Sequence, residues 1–180
     1  MTSTQDCIAV LNAGSSSIKF ALYDAHAEGD LLFRGQIEKL GLAPHLIARN
    51  AAGAVVAERS WSDGGLDHHA ATAAIMALGR EMLAGRPVIA FGHRVVHGGV
   101  DYAAPVRVDA AVMADLAKLI PLAPLHQPHN LAPMAAIAKA APHLPQIACF
   151  DTAFHRTQPA LAQEFALPRE ITASGVRRYG

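Results

Sequence analysis

The sequence predicts an α/β protein in which a mixed sheet is flanked by helices. Short runs rich in β-branched and aromatic residues fill the first 60 positions, separated by turn-like stretches. From position 66 onward, segments with helical spacing alternate with short apolar runs, which is typical of layered α/β folds. Hydrophobic residues make up 52% of the 180 positions, enough for a well-packed core.

The first part of the chain predicts an antiparallel arrangement of strands. Its apolar runs are short, and the segments between them favour tight turns, so three strands form a meander. Two further runs form a hairpin around Gly53. The predicted strands are 7–13, 18–24, 31–38, 46–50 and 54–59.

The second part of the chain alternates helices and strands. Apolar residues recur at helical spacing over 66–83, with Ser62 or Asp63 as the predicted cap and Gly85-Arg86-Pro87 as the stop. A proline-rich loop over 122–130 is expected to border a pocket, because proline is poorly tolerated inside helices and strands. The other predicted elements are strand 88–91, helix 109–118, helix 130–141 and strand 146–150.

The balance of charges, the apolar stretches and the cysteines indicate which partners and which cell compartment to expect. Fifteen basic residues balance fifteen acidic ones, which argues against nucleic acid or an anionic membrane as partner and favours small molecules. The start lacks the pattern of a secretion signal, and no apolar stretch is long enough to span a membrane, so we expect a cytoplasmic protein. Cys7 and Cys149 both lie in strand-like runs, which predicts buried, reduced thiols.

The stretch VLNAGSSSIKF interrupts an apolar run with small polar residues. At the tip of a hairpin, Gly14 would permit backbone geometry that other residues resist, and consecutive N–H groups could face one oxyanion. Ser15, Ser17 and Lys19 follow at alternating positions and would add two hydroxyls and a charge on one side. This pattern indicates a phosphate cradle, although neither a P-loop nor GxGxxG is present. A solvated turn followed by a surface lysine is the alternative.

Two charged residues follow predicted strands. Arg94, in FGHRVVHGG, lies after strand 88–91, and its planar guanidinium could bind two oxygens of a carboxylate or phosphate. Asp151, in CFDTAFH, lies directly after strand 146–150, where a carboxylate could hold Mg²⁺ or orient a reacting group. A turn-forming aspartate is the alternative for Asp151.

Histidines are frequent in the predicted loops, so zinc is a second possibility. No HExxH or CxxC accompanies them, and hydrogen bonding within turns is the simpler explanation for each. His68 and His69, at a helix start, are expected at the surface. The zinc hypothesis concerns His93, His97, His126, His129 and His155.

Four stretches together resemble the acetate kinase family. VLNAGSSSIKF, GHRVVHGG, APLHQPHN and FDTAFH occur in the family's order and span nearly the whole chain. The resemblance implies a ribonuclease H-like sheet of the acetate and sugar kinase/actin/heat-shock chaperone ATPase superfamily. It also implies a homodimeric, ATP-binding transferase that needs Mg²⁺ or Mn²⁺ and reversibly converts ATP and acetate into ADP and acetyl phosphate. The alternatives are a propionate or butyrate kinase, or a nucleotide-binding module without catalysis.

The same resemblance implies residue roles. The family's essential aspartate corresponds to Asp151, and its substrate-binding arginine to Arg94. Val96 and Leu125 correspond to the small pocket for the substrate's methyl group, and a valine at position 96 favours acetate over propionate. The remaining implied roles are metal binding by Asn12 and nucleotide phosphate binding by Ser15, Ser17 and Lys19.

The chain departs from the family in two ways. Gln127 replaces an expected asparagine, and GVRRYG ends within a motif that continues with Phe-His in a longer family. We therefore expect residues 1–150 to form the amino-terminal domain and 151–180 to begin a truncated second domain, in a fragment that is inactive by itself. Apolar side chains of residues 161–180 should be mobile or buried against another copy, for example Leu161, Phe165, Leu167 and Ile171.

Overall fold

One mixed sheet of eight strands organises the computed structural model, which describes residues 6–26, 29–62 and 65–179. The strand order across the sheet is β5-β4-β3-β2-β1-β6-β8-β7. The strands are β1 Cys7–Ala13, β2 Ile18–Asp24, β3 Leu31–Glu38, β4 His45–Asn50, β5 Val55–Ser60, β6 Val88–Val95, β7 Val106–Arg107 and β8 Gln146–Phe150.

The sheet has an antiparallel half and a parallel half. Strands β1 to β5 form an antiparallel meander, and the predicted bounds of β1, β2 and β3 are confirmed. Strand β1 then pairs in parallel with β6, and β6 with β8, while β7 pairs antiparallel at the edge. The two-residue β7 was not predicted, because so short a run has no measurable periodicity.

Three longer helices accompany the sheet, namely α1 His68–Leu83, α2 Ala110–Lys118 and α3 Gln127–Ala140. The carboxylate of Asp67 caps α1 by accepting a hydrogen bond from the Ala70 N–H at 2.7 Å, so the predicted cap at Ser62 is wrong. Asp63, the other predicted cap, lies outside the described residues. The helix ends at Ala84 and Gly85, both with positive φ, as the predicted stop requires.

Helix α3 begins three residues earlier than predicted. Pro128 lies in its first turn, where the missing N–H would have had no helical partner. Pro133 is tolerated inside the helix at the loss of one backbone hydrogen bond. The prediction that the loop continues through residue 130 is therefore wrong for its last four residues.

The core lies between one face of the sheet and the helices. On β1 and β2 every second side chain is buried, and Ile75 and Leu78 of α1 belong to the same cluster. A second cluster joins the ends of β6 and β8 to α2 and α3 through Val95, Leu116 and Met134. The strand faces therefore differ: one packs on helices, and the other carries Asn12, Lys19 and Arg94 near the strand ends.

The alternation of buried and exposed residues along a strand also explains why the predicted burial of Cys149 is wrong. Cys7 is buried, as predicted, and burial raises the pKa of its thiol. Cys149 is exposed, because Ala148 and Phe150 take the buried face of β8. Neither cysteine forms a disulfide in the described part of the chain.

Two shorter helices and two 3₁₀ helices complete the described part, namely α4 Ala160–Gln163, α5 Arg169–Ala173, Ile120–Leu122 and Asp151–Thr157. The apolar side chains of residues 161–171 are exposed, with Leu161 at 87%. Among the described residues, no helix is both long and apolar enough to cross a membrane.

Candidate functional site

Polar side chains gather where the parallel strands β1, β6 and β8 end. Asn12 lies near the end of β1, Arg94 near the end of β6, and Asp151 immediately after β8. Leu11 pairs with His93, and Arg94 pairs with Cys149, so the register places all three on one edge. The carboxyl ends of parallel strands are where open α/β sheets bind ligands.

Arg94 connects the other two residues. Its Nε donates to Asp151 Oδ1 at 3.1 Å, and its Nη2 donates to Asp151 Oδ2 at 2.5 Å. Its Nη1 donates to Asn12 Oδ1 at 3.3 Å. Since the side chains of Arg94 and Asp151 are 41% and 44% exposed, this bidentate pair is accessible to a ligand from solvent.

Strand β6 is longer than predicted, which changes the placement of two residues. It runs to Val95, so His93 and Arg94 lie within the strand and not in the following loop. Alternation then sends His93 into the core and Arg94 to the opposite face. The site therefore has its arginine on a rigid strand.

The serine-rich stretch forms the tip of the β1–β2 hairpin. Asn12 pairs with Lys19 and Ala13 with Ile18, and the Gly14 N–H donates to the Ser17 carbonyl at 2.8 Å. Lys19 lies opposite Asn12, on the face that carries Arg94. Among the described residues, the hydroxyls of Ser15 and Ser17 and the ammonium of Lys19 have no hydrogen-bond partner. These donors can therefore bind an anion without first breaking a hydrogen bond within the described structure.

Gly14 does not have the special backbone geometry that we predicted. Its φ is not positive, and a Cβ built on it would meet only Ser17 atoms at 3.8 and 3.9 Å. That expectation is therefore wrong, and the fold of the hairpin does not itself require glycine here.

Two residues that sequence reasoning missed hold the hairpin tip. Asn130, which is 2% exposed, donates to the Ala13 carbonyl at 2.5 Å and accepts from the Val96 N–H at 2.9 Å. His68 donates its Nε2–H to the Gly14 carbonyl at 2.6 Å. These contacts join α3 and α1 to the hairpin, and no local sequence pattern indicates them.

The surface location predicted for His68 is wrong. Its ring stacks on His129 with 4.4 Å between centroids, and it is only partly exposed, whereas His69 is exposed as expected. Burial lowers the pKa of His129, and positive charge at His68 and His126 lowers that pKa further. Protonation of His129 therefore requires a lower pH than protonation of a solvent-exposed histidine.

His93 and His97 have structural partners. His93 is 3% exposed and donates to Gln146 Oε1 at 2.8 Å, and burial lowers its pKa to about 4. His97 Nδ1 accepts from the Gly99 N–H at 2.9 Å, and its ring meets Tyr179 edge-on. No three metal-ligating side chains come together in the described part of the chain, which argues against the zinc hypothesis.

The two residues predicted to form the methyl pocket differ in their burial. Val96 follows β6 and is partly buried, whereas Leu125 is 72% exposed in the loop before α3.

Gln127, where the resembled family has an asparagine, is fully buried. Its amide group bonds the His97 carbonyl at 3.0 Å and the Leu116 carbonyl at 3.2 Å. The longer side chain therefore ties the loop after β6 to α2.

The donor set at this edge fits a hard divalent cation. The Asn12 amide oxygen and the Asp151 carboxylate bond different nitrogens of the same guanidinium, so both oxygens face one cationic group. Mg²⁺ binds through one or two carboxylate or amide oxygens and completes its shell with water and substrate phosphates. Asn12 and Asp151 would hold such an ion.

The fold and this edge define the class of protein. An antiparallel meander that continues into parallel strands, covered by helices, is the fold of the acetate and sugar kinase/actin/heat-shock chaperone ATPase superfamily. An acetate kinase structure from Porphyromonas gingivalis matches with a TM-score of 0.85 and 37% identity, covering 97% of this chain and 45% of that one. A propionate kinase structure from Francisella tularensis matches with a TM-score of 0.83, 31% identity and coverages of 97% and 44%.

Sequence comparison identifies the family. The model of the Acetokinase family matches residues 7–180, and the chain therefore belongs to this family of kinases. Acetate kinases from Rhodopseudomonas palustris and Nitrobacter hamburgensis are 48% and 46% identical over 178 residues. The alignments cover 97% of this chain and 44% of the Rhodopseudomonas protein, so the chain spans less than half the length of that relative.

Proposed function

We propose that the chain supplies the phosphate hairpin and the carboxylate-binding arginine of an acetate kinase. The whole protein would transfer a phosphoryl group between ATP and acetate, with acetyl phosphate and ADP as products. The bidentate Arg94–Asp151 pair, joined to Asn12 beside the serine-rich hairpin, is the observation that supports this proposal best. The acetate kinases among its relatives support the choice of reaction.

Arg94 would bind the acceptor carboxylate. Its planar guanidinium matches two oxygens, and its accessibility allows a small anion to approach. A small carboxylic acid is ionised at pH 7, so the nucleophile needs no general base. Asp151 would therefore orient Arg94 and need not transfer a proton, and Asn12 would fix the third nitrogen of the same guanidinium.

The hairpin would bind the nucleotide phosphates. Ser15, Ser17 and Lys19 offer donors without partners in the described structure, and Lys19 faces the arginine side of the sheet. Asn12 and Asp151 fit Mg²⁺, which when bound neutralises phosphate charge in reactions of this kind. Since phosphoryl transfer depends on positioning and charge neutralisation, these residues need only hold the reactants in line.

Acetate is the proposed substrate, with propionate as a second candidate. The structural match to a propionate kinase supports keeping that alternative. The partly buried Val96 would limit the space for a longer acyl chain, which favours acetate. Competition between acetate and propionate in one assay distinguishes the two.

We further propose that the 180-residue chain is inactive alone, with residues 1–150 as one domain and 151–180 as the start of another. Its length, less than half that of its relatives, supports this proposal. The homodimer implied by the resemblance stays a prediction for the whole protein.

The test is trapping of acetyl phosphate as its hydroxamate, with ATP, Mg²⁺ and acetate. The complete gene product should form it, and the 180-residue chain should not. Absence of product from the complete gene product, with ATP still bound, would replace the kinase proposal with a binding module. Product from the chain alone would contradict the proposed division of catalytic residues.

A further inference from the structure

A large apolar cavity lies between the sheet and the carboxyl-terminal halves of α1 and α3. Its volume is about 390 Å³. The floor is formed by Phe20, Leu22 and Phe91 of the sheet, and Ile75 and Leu83 of α1 form one wall. It borders Pro87 and Val88, where β6 begins, and therefore lies away from the edge that holds Arg94 and Asp151.

Cationic and donor side chains mark the opening of this cavity. Arg80, Arg86 and His143 line it and are also accessible to solvent. Arg86 is 3.7 Å from Asp24, whereas no carboxylate pairs with Arg80 among the described residues. The described lining contains no aspartate or glutamate. The cavity thus combines an apolar interior with a positive entrance.

We propose that this cavity binds an amphiphilic carboxylate, with its tail inside and its head group at Arg80. An apolar cavity of ~150 Å³ stays dry and admits benzene, so a cavity of this volume has room for a chain of roughly ten carbons. Ligand sites are typically apolar cavities of this size with few polar groups. Charge complementarity with Arg80 selects an anionic head over a neutral one.

A helix glycine supports the assignment independently. Gly79 lies within α1 and lines the cavity, and glycine weakens a helix interior. Its φ is not positive, and a Cβ there would meet only Leu22 Cδ1 at 3.9 Å, which is an ordinary contact. Neither the backbone nor local packing therefore requires glycine at this position. Because glycine has no side chain, Gly79 leaves the interior of the cavity open.

The test is titration of the 180-residue chain and of the complete gene product with decanoate and with 1-decanol, followed by calorimetry. Decanoate should bind at one saturable site with micromolar affinity. Decanol should bind about tenfold more weakly, because it lacks the charge that Arg80 pairs with. This result does not depend on acetyl phosphate formation, so its failure is distinguishable from failure of the proposed function.

Three variants locate the site. Gly79→Leu should weaken decanoate binding at least tenfold by filling the cavity, whereas Ala73→Leu, at an exposed position of the same helix, should not change it. Arg80→Gln should weaken decanoate about fivefold and leave decanol unchanged. Because Arg80 is exposed, this variant keeps the test valid even if Gly79→Leu perturbs folding, which circular dichroism would report.

Three outcomes would overturn the proposal. The first is no saturable decanoate binding up to millimolar concentration. The second is binding that Gly79→Leu and Arg80→Gln both leave unchanged. The third is binding to the chain but not to the complete gene product, because a segment of the longer protein would then be the natural occupant of the cavity.

Discussion

Replacing Asp151 by asparagine separates the proposed catalytic role of the Arg94–Asp151 pair from its structural role. The carboxylate accepts two hydrogen bonds from one guanidinium, at 3.1 and 2.5 Å. Asparagine keeps one acceptor oxygen, but its amide nitrogen would direct N–H groups at an arginine nitrogen that is also a donor. One of the two bonds is therefore lost, and Arg94 loses its fixed orientation.

The expected magnitudes differ between the two roles. Both side chains are more than one-third exposed, so solvent screening limits the loss of unfolding free energy to about 0–1 kcal/mol. Misorientation of a group that positions the reactants costs on the order of 10²-fold in turnover. Nucleotide affinity should change little, because the hairpin donors remain.

The assay compares kcat for hydroxamate formation, ADP affinity and urea stability in the complete gene product. Asp101→Asn, at an exposed carboxylate that is not among the proposed site residues, is the matched control and should leave all three unchanged. Unchanged turnover in Asp151→Asn would refute the role assigned to this carboxylate. A loss of stability above about 3 kcal/mol would also refute it, because the pair would then be structural.

Three further predictions concern the scaffold. His68→Ala should speed amide exchange at the hairpin tip about tenfold and cost about 1 kcal/mol of stability, because it removes one hydrogen bond, whereas His69→Ala should change neither. Leu116→Ala should cost about 2–5 kcal/mol in urea unfolding since Leu116 is fully buried, and Leu125→Ala, at an exposed site, should cost less than about 0.5 kcal/mol; equal losses would contradict the described core. The pKa of His93 is about 4 in the folded chain and near 6.5 unfolded, so the unfolded state binds the proton more readily. Stability should therefore be full above about pH 6.5 and fall by up to about 3 kcal/mol toward pH 4, and His93→Gln should flatten this dependence in urea titrations at several pH values.

The features that were predicted best are those that depend on residues close together in the sequence. The bounds of β1 to β3 follow from alternation and from turn residues that flank each run. The end of β6 was missed because GHRV contains too many polar residues to suggest a strand. Its polarity is explained only by the structure, where His93 finds Gln146 in the core and Arg94 faces the site.

The sequence suggested candidate residues for the site but not the hydrogen bonds that connect them. Arg94 and Asp151 were singled out from short motifs and Asn12 from the family resemblance, and the parallel register explains why the three side chains meet. His68 and Asn130 were not singled out, because their hydrogen bonds join segments 54 and 117 residues apart. Such long-range contacts leave no periodicity in a single sequence.

The architecture separates the groups that fix the site from those that would act on a ligand. Asn130 and Gln127 are buried, and each bonds backbone groups of two different segments, so they set the positions of the hairpin and of the loop after β6. Arg94, Asp151 and Lys19 lie outside this layer and are accessible to solvent. Because buried amides without partners are costly and exposed ion pairs contribute little, substitutions in the inner layer should reduce stability first. Substitutions in the outer layer should reduce binding and turnover first, which allows fold and function to be tested separately in this chain.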